Sequence, residues 1–251
     1  MSIINALLLG ILQGFTEFLP ISSSGHLVIA QHLLGFKDAP VFFDVLLHGG
    51  SLAAILIFFW PQIKNISVNL GKLIIFGTIP AVFAGLLIDP LLGQIFSSLP
   101  LVAIGLLITS VLLATTLKFK HTSADLSQLT LKQVIIIGLF QAAAIIPGIS
   151  RSGSTVVAGL SQGLKKEDAF TFSFLLAIPA IAGALVLELK DLNSLHITDP
   201  LSYLFGFAAS LICSLLALKL LKLIINQSKL HYFAVYCFLL SAGLFTYLVF
   251  T

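Results

Sequence analysis

Apolar residues run on along this chain for about twenty positions at a time, the length that carries a helix across the hydrocarbon core of a bilayer. Six stretches have that character: roughly 41–60, 70–88, 99–117, 169–187, 201–221 and 231–250. Two further apolar regions are interrupted. The first runs from Ile3 to Leu19, turns through residues 20–25 (Pro-Ile-Ser-Ser-Ser-Gly), and resumes from His26 to Leu34. The second runs from Gln133 to Ile146, turns through residues 147–153 (Pro-Gly-Ile-Ser-Arg-Ser-Gly), and resumes from Ser154 to Leu164. Their second arms are too short to span. Broken backbone rich in Pro, Gly and hydroxyls is tolerated at membrane depth only where it lines a polar cavity. The pattern predicts two re-entrant helix–loop–helix hairpins and six crossings.

Composition strengthens the membrane reading. The chain is 58% hydrophobic and 9% charged, with a mean hydropathy of +1.11, where a soluble domain carries about a quarter charged residues. Its 251 residues form one membrane domain, with no polar stretch long enough for a second. The net charge of +3 gives no signal for nucleic acid. Cys213 and Cys237 lie in apolar stretches and read as packing residues. The N-terminus has no basic n-region or small-residue cleavage site, and Gln13 and Glu17 interrupt its apolar run, which is therefore expected to belong to the mature fold.

Lysine placement orients the spans. With both hairpins returning to the side they left, one side receives Lys64, Lys72, Lys118, Lys120, Lys132, Lys165, Lys166, Lys219, Lys222 and Lys229, and the other Lys37 and Lys190. The positive-inside rule makes the first side cytoplasmic. Both termini and the opening of the first hairpin are then expected outside.

The hairpins also match each other at a constant offset of 128: Gly10 with Gly138, Gln13 with Gln141, Ile21 with Ile149, Ser22 with Ser150, Ser24 with Ser152, and Gly25 with Gly153. Serine- and glycine-rich turns resemble one another by chance, but six matches in register favour duplication. The expected fold is all-α: two repeats of inverted topology, about 1–118 and 129–251, each one re-entrant hairpin plus three transmembrane helices. Such repeats place a ligand near the bilayer midplane, where the broken helices meet. The repeat breaks where charge enters, since Ser23 corresponds to Arg151 and Glu17 to Ile145.

Arg151 is the sole arginine of the chain. At bilayer depth it costs on the order of 2.5–3.5 kcal/mol unless paired, and its fork matches phosphate oxygens. A purely structural pair with Glu17 is the bland alternative. Ser150, Ser152, Gly153, Ser154 and Thr155 flank Arg151 where a helix restarts, and together suit a phosphate cradle, though any one serine could be an ordinary N-cap. Gln13 and Glu17 share a helix face one turn apart, as donors to a divalent cation would. Ser22, Ser23, Ser24 and His26 complete the polar set, since a serine nucleophile needs a base. Asp44 and His48, one turn apart at a span end, either line an entrance or lie in the interface. His32, His121, His196 and His231 sit near span ends or in loops, where no function is required.

At these residues the sequence resembles the undecaprenyl-diphosphate phosphatase family, of the bacitracin-resistance type. The similarity is carried by Gln13-Gly14-Phe15-Thr16-Glu17, continuing through Phe18 to His26, and by Pro147 to Thr155. It extends through Phe42 to Ser51, Ile79-Pro80-Ala81 and Phe172 to Pro179. The resemblance implies hydrolysis of undecaprenyl diphosphate to undecaprenyl phosphate and inorganic phosphate, aided by Mg²⁺ or Ca²⁺. It also implies a bacterial plasma-membrane location, recycling of the cell-wall carrier lipid, and bacitracin resistance. By position, Glu17, Ser23, His26 and Arg151 correspond to residues the family needs. Gln13 stands where many relatives carry glutamate, and His48 where glutamine is expected. In the mechanism this favours, Arg151 binds the diphosphate, Glu17 and Gln13 help hold the cation, Ser23 attacks phosphorus or positions a water, and His26 moves the proton. Architecture alone would equally suit a secondary transporter or a flippase for polyprenyl phosphate. A homodimer is left open.

Overall fold

The computed structural model describes residues 2–33, 41–119, 123–190 and 200–250. Lys37, Lys120, His121, His196 and the side chain of Lys190 lie outside what is described. Twelve helices follow in order: α1 (Ile3–Phe18), α2 (Ser23–Leu33), α3 (Val41–Phe58), α4 (Trp60–Lys64), α5 (Val68–Ile88), α6 (Leu92–Phe96), α7 (Leu99–Ala114), α8 (Leu131–Ala143), α9 (Arg151–Ser161), α10 (Lys166–Lys190), α11 (Pro200–Asn226) and α12 (His231–Phe250). Among the described residues extended pairing is limited to one bridge, Ala124 to Leu164.

Five of these helices, α5, α7, α10, α11 and α12, are long and apolar enough to cross a membrane, α7 with its 3₁₀ extension to Lys118. The stretch expected at 41–60 forms α3, 18 residues long, which gives way at Phe59 to α4, because Pro61 at the start of α4 cannot donate back into the preceding turn. The bundle is apolar outside, where Phe83, Leu87, Leu239 and Val249 are exposed, and its apolar core also encloses buried polar side chains, among them Gln13, Ser51, Thr109, Gln141, Ser173 and Ser210. That is the arrangement expected where lipid is the solvent. Cys213 and Cys237 are free thiols.

The turn of the first hairpin is shorter than expected, and that of the second keeps its length but is displaced by three residues, to 144–150. Helix α2 begins at Ser23, so Ser23, Ser24 and Gly25 belong to its first turn; helix α9 begins at Arg151, so Arg151, Ser152 and Gly153 open it. Capping explains both shifts. Ser22, at φ 70°, accepts the Gly25 N–H through its hydroxyl at 3.3 Å, and Ser150 accepts the Gly153 N–H at 3.1 Å. Each capping serine also meets the hydroxyl two residues on, Ser24 at 3.3 Å and Ser152 at 3.2 Å.

Packing between helices is reciprocal. Helix α1 packs on α2 and α11, and α8 packs on α9 and α5. A side chain at Gly10 would run into the Gly206 carbonyl, and one at Gly138 into the Gly77 carbonyl, so both crossings are close backbone approaches. Helices α7 and α12 exchange hydrogen bonds: Ser110 donates to the Ala234 carbonyl at 2.8 Å and Ser241 to the Ala103 carbonyl at 2.7 Å.

Two adjacent lysines, Lys165 and Lys166, lie where α10 begins. Thr116, Phe119, Lys166, Ser228 and Leu230 line one small cleft, and Lys166 reaches Ser228. Nearby, Lys165 pairs with Asp125, which holds its ammonium pKa above the usual lysine range. Asp168 accepts the Leu126 N–H at 2.9 Å and ties the segment joining the two halves to α10.

Candidate active site

The centre of the site is the Glu17 carboxylate, 8% exposed on the last turn of α1. One oxygen, Oε1, takes the Arg151 Nη2 donor at 2.5 Å from the first residue of α9. The other, Oε2, takes the Ser23 hydroxyl at 2.6 Å from the first residue of α2, and the Gln13 amide at 3.1 Å from the turn below. His48 on α3 brings Nε2 to 3.9 Å from the same oxygen. Four elements therefore converge on one anion.

Two polar atoms at this centre are buried without a hydrogen-bond partner, Arg151 Nη1 and Gln13 Oε1. A buried unmade bond costs about 1–3 kcal/mol, more for a charged group. The same two side chains already hold Glu17 through their other ends, so one donor and one acceptor are left beside the carboxylate. An anion fits the first and a hard cation the second. Ser154 Oγ on α9 is likewise buried and unpartnered. Thr155 instead closes on the Ser173 hydroxyl at 2.5 Å and its own helix at the Arg151 carbonyl, 2.9 Å, so its hydroxyl is committed to joining α9 to α10.

The two turns are bound to each other. Gly148, at φ 90°, donates its N–H to Ser22 Oγ at 3.1 Å. Thr109 on α7 donates to the Gly148 carbonyl at 2.8 Å and accepts the Ser150 N–H at 2.9 Å. A positive φ at this point favours glycine. Ser22 and Ser150 thus serve as scaffold, Ser152 reaches the Leu19 carbonyl at 3.4 Å, and a side chain at Gly153 would press on Pro20.

His26 is not on Ser23. Its Nδ1 lies 2.7 Å from the Ser22 carbonyl, which only accepts, so Nδ1 carries the proton. Its Nε2 then accepts the Tyr236 hydroxyl at 2.7 Å, with the two rings stacked at 5.7 Å. The Ser23 hydroxyl donates to Glu17 instead. Asp44 takes the Gln31 amide at 3.1 Å, and its carbonyl accepts His48 Nδ1 at 2.8 Å, while the 3.9 Å from His48 Nε2 to Glu17 Oε2 brings His48 to the site.

The residues that sequence reasoning did not single out are Tyr236 and Thr109. Thr109 carried a readable signal, one of two adjacent hydroxyls, with Ser110, in an otherwise apolar span. Tyr236 carried none, because aromatic residues are common near membrane boundaries.

The chain matches the family model for the bacitracin resistance protein BacA over residues 6–243. It belongs to that family. Similar proteins named undecaprenyl-diphosphatase include one from Methanobrevibacter smithii, 41% identical over 270 residues, covering 98% of this chain and 97% of the relative. One from Halothermothrix orenii is 40% identical over 249 residues, covering 96% of each. Another from Desulfosudis oleivorans is 39% identical over 262 residues, covering 95% of this chain and 96% of the relative. For this BacA family member both polar turns fall within the matched region, so the Glu17 centre lies inside the shared fold.

Proposed function

We propose that the chain hydrolyses undecaprenyl diphosphate to undecaprenyl phosphate and inorganic phosphate. The observation that carries this reading is the Glu17 carboxylate held between the Ser23 hydroxyl and the Arg151 guanidinium. A serine on a carboxylate is a nucleophile on its base, and a guanidinium with one end unpartnered is a waiting phosphate donor.

Ser23 Oγ attacks the terminal phosphorus while its proton passes to Glu17 Oε2. The bond to the bridging oxygen breaks, and undecaprenyl phosphate leaves with the electron pair. Water then cleaves the phosphoserine and releases inorganic phosphate. Arg151 Nη1 binds the oxygens on which charge concentrates, and positioning of this kind carries most of the rate in phosphoryl transfer. His26 anchors the Ser22 carbonyl, and so the start of α2, to Tyr236.

A divalent cation, Mg²⁺ or Ca²⁺, fits the donors present, since Gln13 Oε1 is an unpartnered buried acceptor beside a carboxylate. When bound it would neutralise diphosphate charge. Among the described residues no three His, Cys, Asp or Glu side chains gather, so substrate oxygens and water would complete its shell.

The protein sits in a bacterial plasma membrane with the site opening outward and the lysine-rich face cytoplasmic, as the positive-inside rule supports. Hydrolysis there recycles the cell-wall carrier lipid and confers resistance to bacitracin. The reciprocal glycine crossings and serine–carbonyl bonds support two inverted repeats. They also favour the second reading, a flippase for polyprenyl phosphate.

Phosphate release from a polyprenyl diphosphate by purified protein, wild type against Arg151→Ala, with and without EDTA, tests the assignment. Release that requires both the arginine and a divalent ion supports the phosphatase. Folded wild type that releases none across cations and lipid lengths would leave the flippase as the function.

A further inference from the structure

Among the described residues, His48 is the imidazole whose ring nitrogen lies nearest the Glu17 carboxylate. Its Nδ1 lies 2.8 Å from the Asp44 carbonyl. That oxygen only accepts, so Nδ1 carries a proton, and in the neutral imidazole Nε2 turns its lone pair toward Glu17 Oε2. Metal-binding histidines are held in this way, the distal N–H given to a carbonyl or carboxylate so that the other nitrogen faces the ion. At 3.9 Å the two atoms are too far apart for a direct hydrogen bond. Two donors that each hold one ion at about 2.0–2.2 Å lie no more than about 4.4 Å apart, and this pair falls within that limit. The unpartnered Gln13 Oε1 belongs to a side chain bonded to the same carboxylate oxygen. The Asp44 carboxylate, held by Gln31, adds negative charge on the far side of the ring.

We propose that His48 Nε2 is a nitrogen ligand for the divalent cation of this site, beside Glu17 and Gln13. The proposal rests on the phosphatase reading and deepens it. An imidazole among oxygen donors shifts preference from Ca²⁺ toward a transition-metal ion such as Mn²⁺. The competing role for His48 is a second positive charge on Glu17, with no bond to metal.

Pulsed EPR of the purified full chain separates the two roles. The protein is grown with ¹⁵N-imidazole histidine and loaded with Mn²⁺ and methylenediphosphonate. Wild type is expected to show ¹⁵N coupling to Mn²⁺; His48→Gln should lose it, and His26→Gln should keep it. Mn²⁺ affinity should fall about tenfold or more in His48→Gln, with Ca²⁺ affinity nearly unchanged. Wild type that binds no Mn²⁺ or shows no coupling, or a coupling that survives His48→Gln, overturns the proposal. Phosphate release is assayed on the same samples. Release without ¹⁵N coupling removes His48 from the cation while leaving the phosphatase intact, whereas absence of release with every cation removes the phosphatase reading itself.

Discussion

Ser23 and Arg151 stand 128 positions apart, each the first residue of the returning helix of its hairpin, and each holds one oxygen of the same carboxylate. They are equivalent positions in the internal match, and they are where that match breaks. The difference between them puts a hydroxyl on one side of the carboxylate and a guanidinium on the other. Glu17 joins them, and its own equivalent, Ile145, carries no charge.

Ser23→Ala removes the hydroxyl that Glu17 holds, which the phosphatase reading makes the nucleophile. Phosphate release should fall by about 10³-fold or more, with KM little changed. A short quench with ³²P-labelled lipid should capture phosphoserine in wild type and none in the variant. Wild-type rates in Ser23→Ala would assign attack to another group.

Glu17→Gln leaves Arg151 buried without its counter-charge. Loss of one partner of a buried pair costs about 3–5 kcal/mol, so the melting temperature in detergent should drop along with activity. The double variant Glu17→Gln/Arg151→Met should recover much of that stability and none of the activity. If the single variant melts like wild type, the pair is not the internal link described.

Arg151→Lys keeps the charge but loses the planar fork. Phosphate release should fall by about 10²–10³-fold, the range for removal of one donor to a developing oxyanion. A variant with unchanged release would mean that Arg151 acts as charge alone.

Gly138→Leu and Gly10→Leu each force a side chain into a helix crossing made of backbone. Overpacking of this kind costs about 1–3 kcal/mol or more, so both should lower the melting temperature markedly. Ser110→Ala and Ser241→Ala should each cost only about 0.6 kcal/mol, nearly equally, with activity retained. A large inequality between the two serine variants would show that the α7–α12 contacts are not energetically equivalent.

EDTA should abolish phosphate release, and Mg²⁺ or Ca²⁺ should restore it. Full activity after exhaustive chelation would place all charge compensation on Arg151.

Much of the site could be read from residues 10–26 and 138–155, because charge inside an apolar stretch is costly and so marks itself. Glu17 and Arg151 stood out for that reason, and the structure pairs them. The role of His26 was read less well. Its nearness to Ser23 in sequence suggested a base, yet as the fourth residue of α2 it faces the Ser22 carbonyl and Tyr236.

Apolar length and the placement of polar breaks are local properties, and they determined the all-α membrane class, the two broken hairpins and the charged residues that matter. The sequence also carried the internal match. Which groups touch depends on how helices cross, and no local pattern encodes that. Only the tertiary structure joined Tyr236 to His26 across 210 residues, set His48 against Glu17, and tied Thr109 to the Gly148 carbonyl and the Ser150 N–H of the second turn. These pairings were decided by close backbone approaches such as Gly10 on Gly206 and Gly138 on Gly77, because in lipid it is contact geometry, rather than burial of apolar surface, that selects one packing of helices over another.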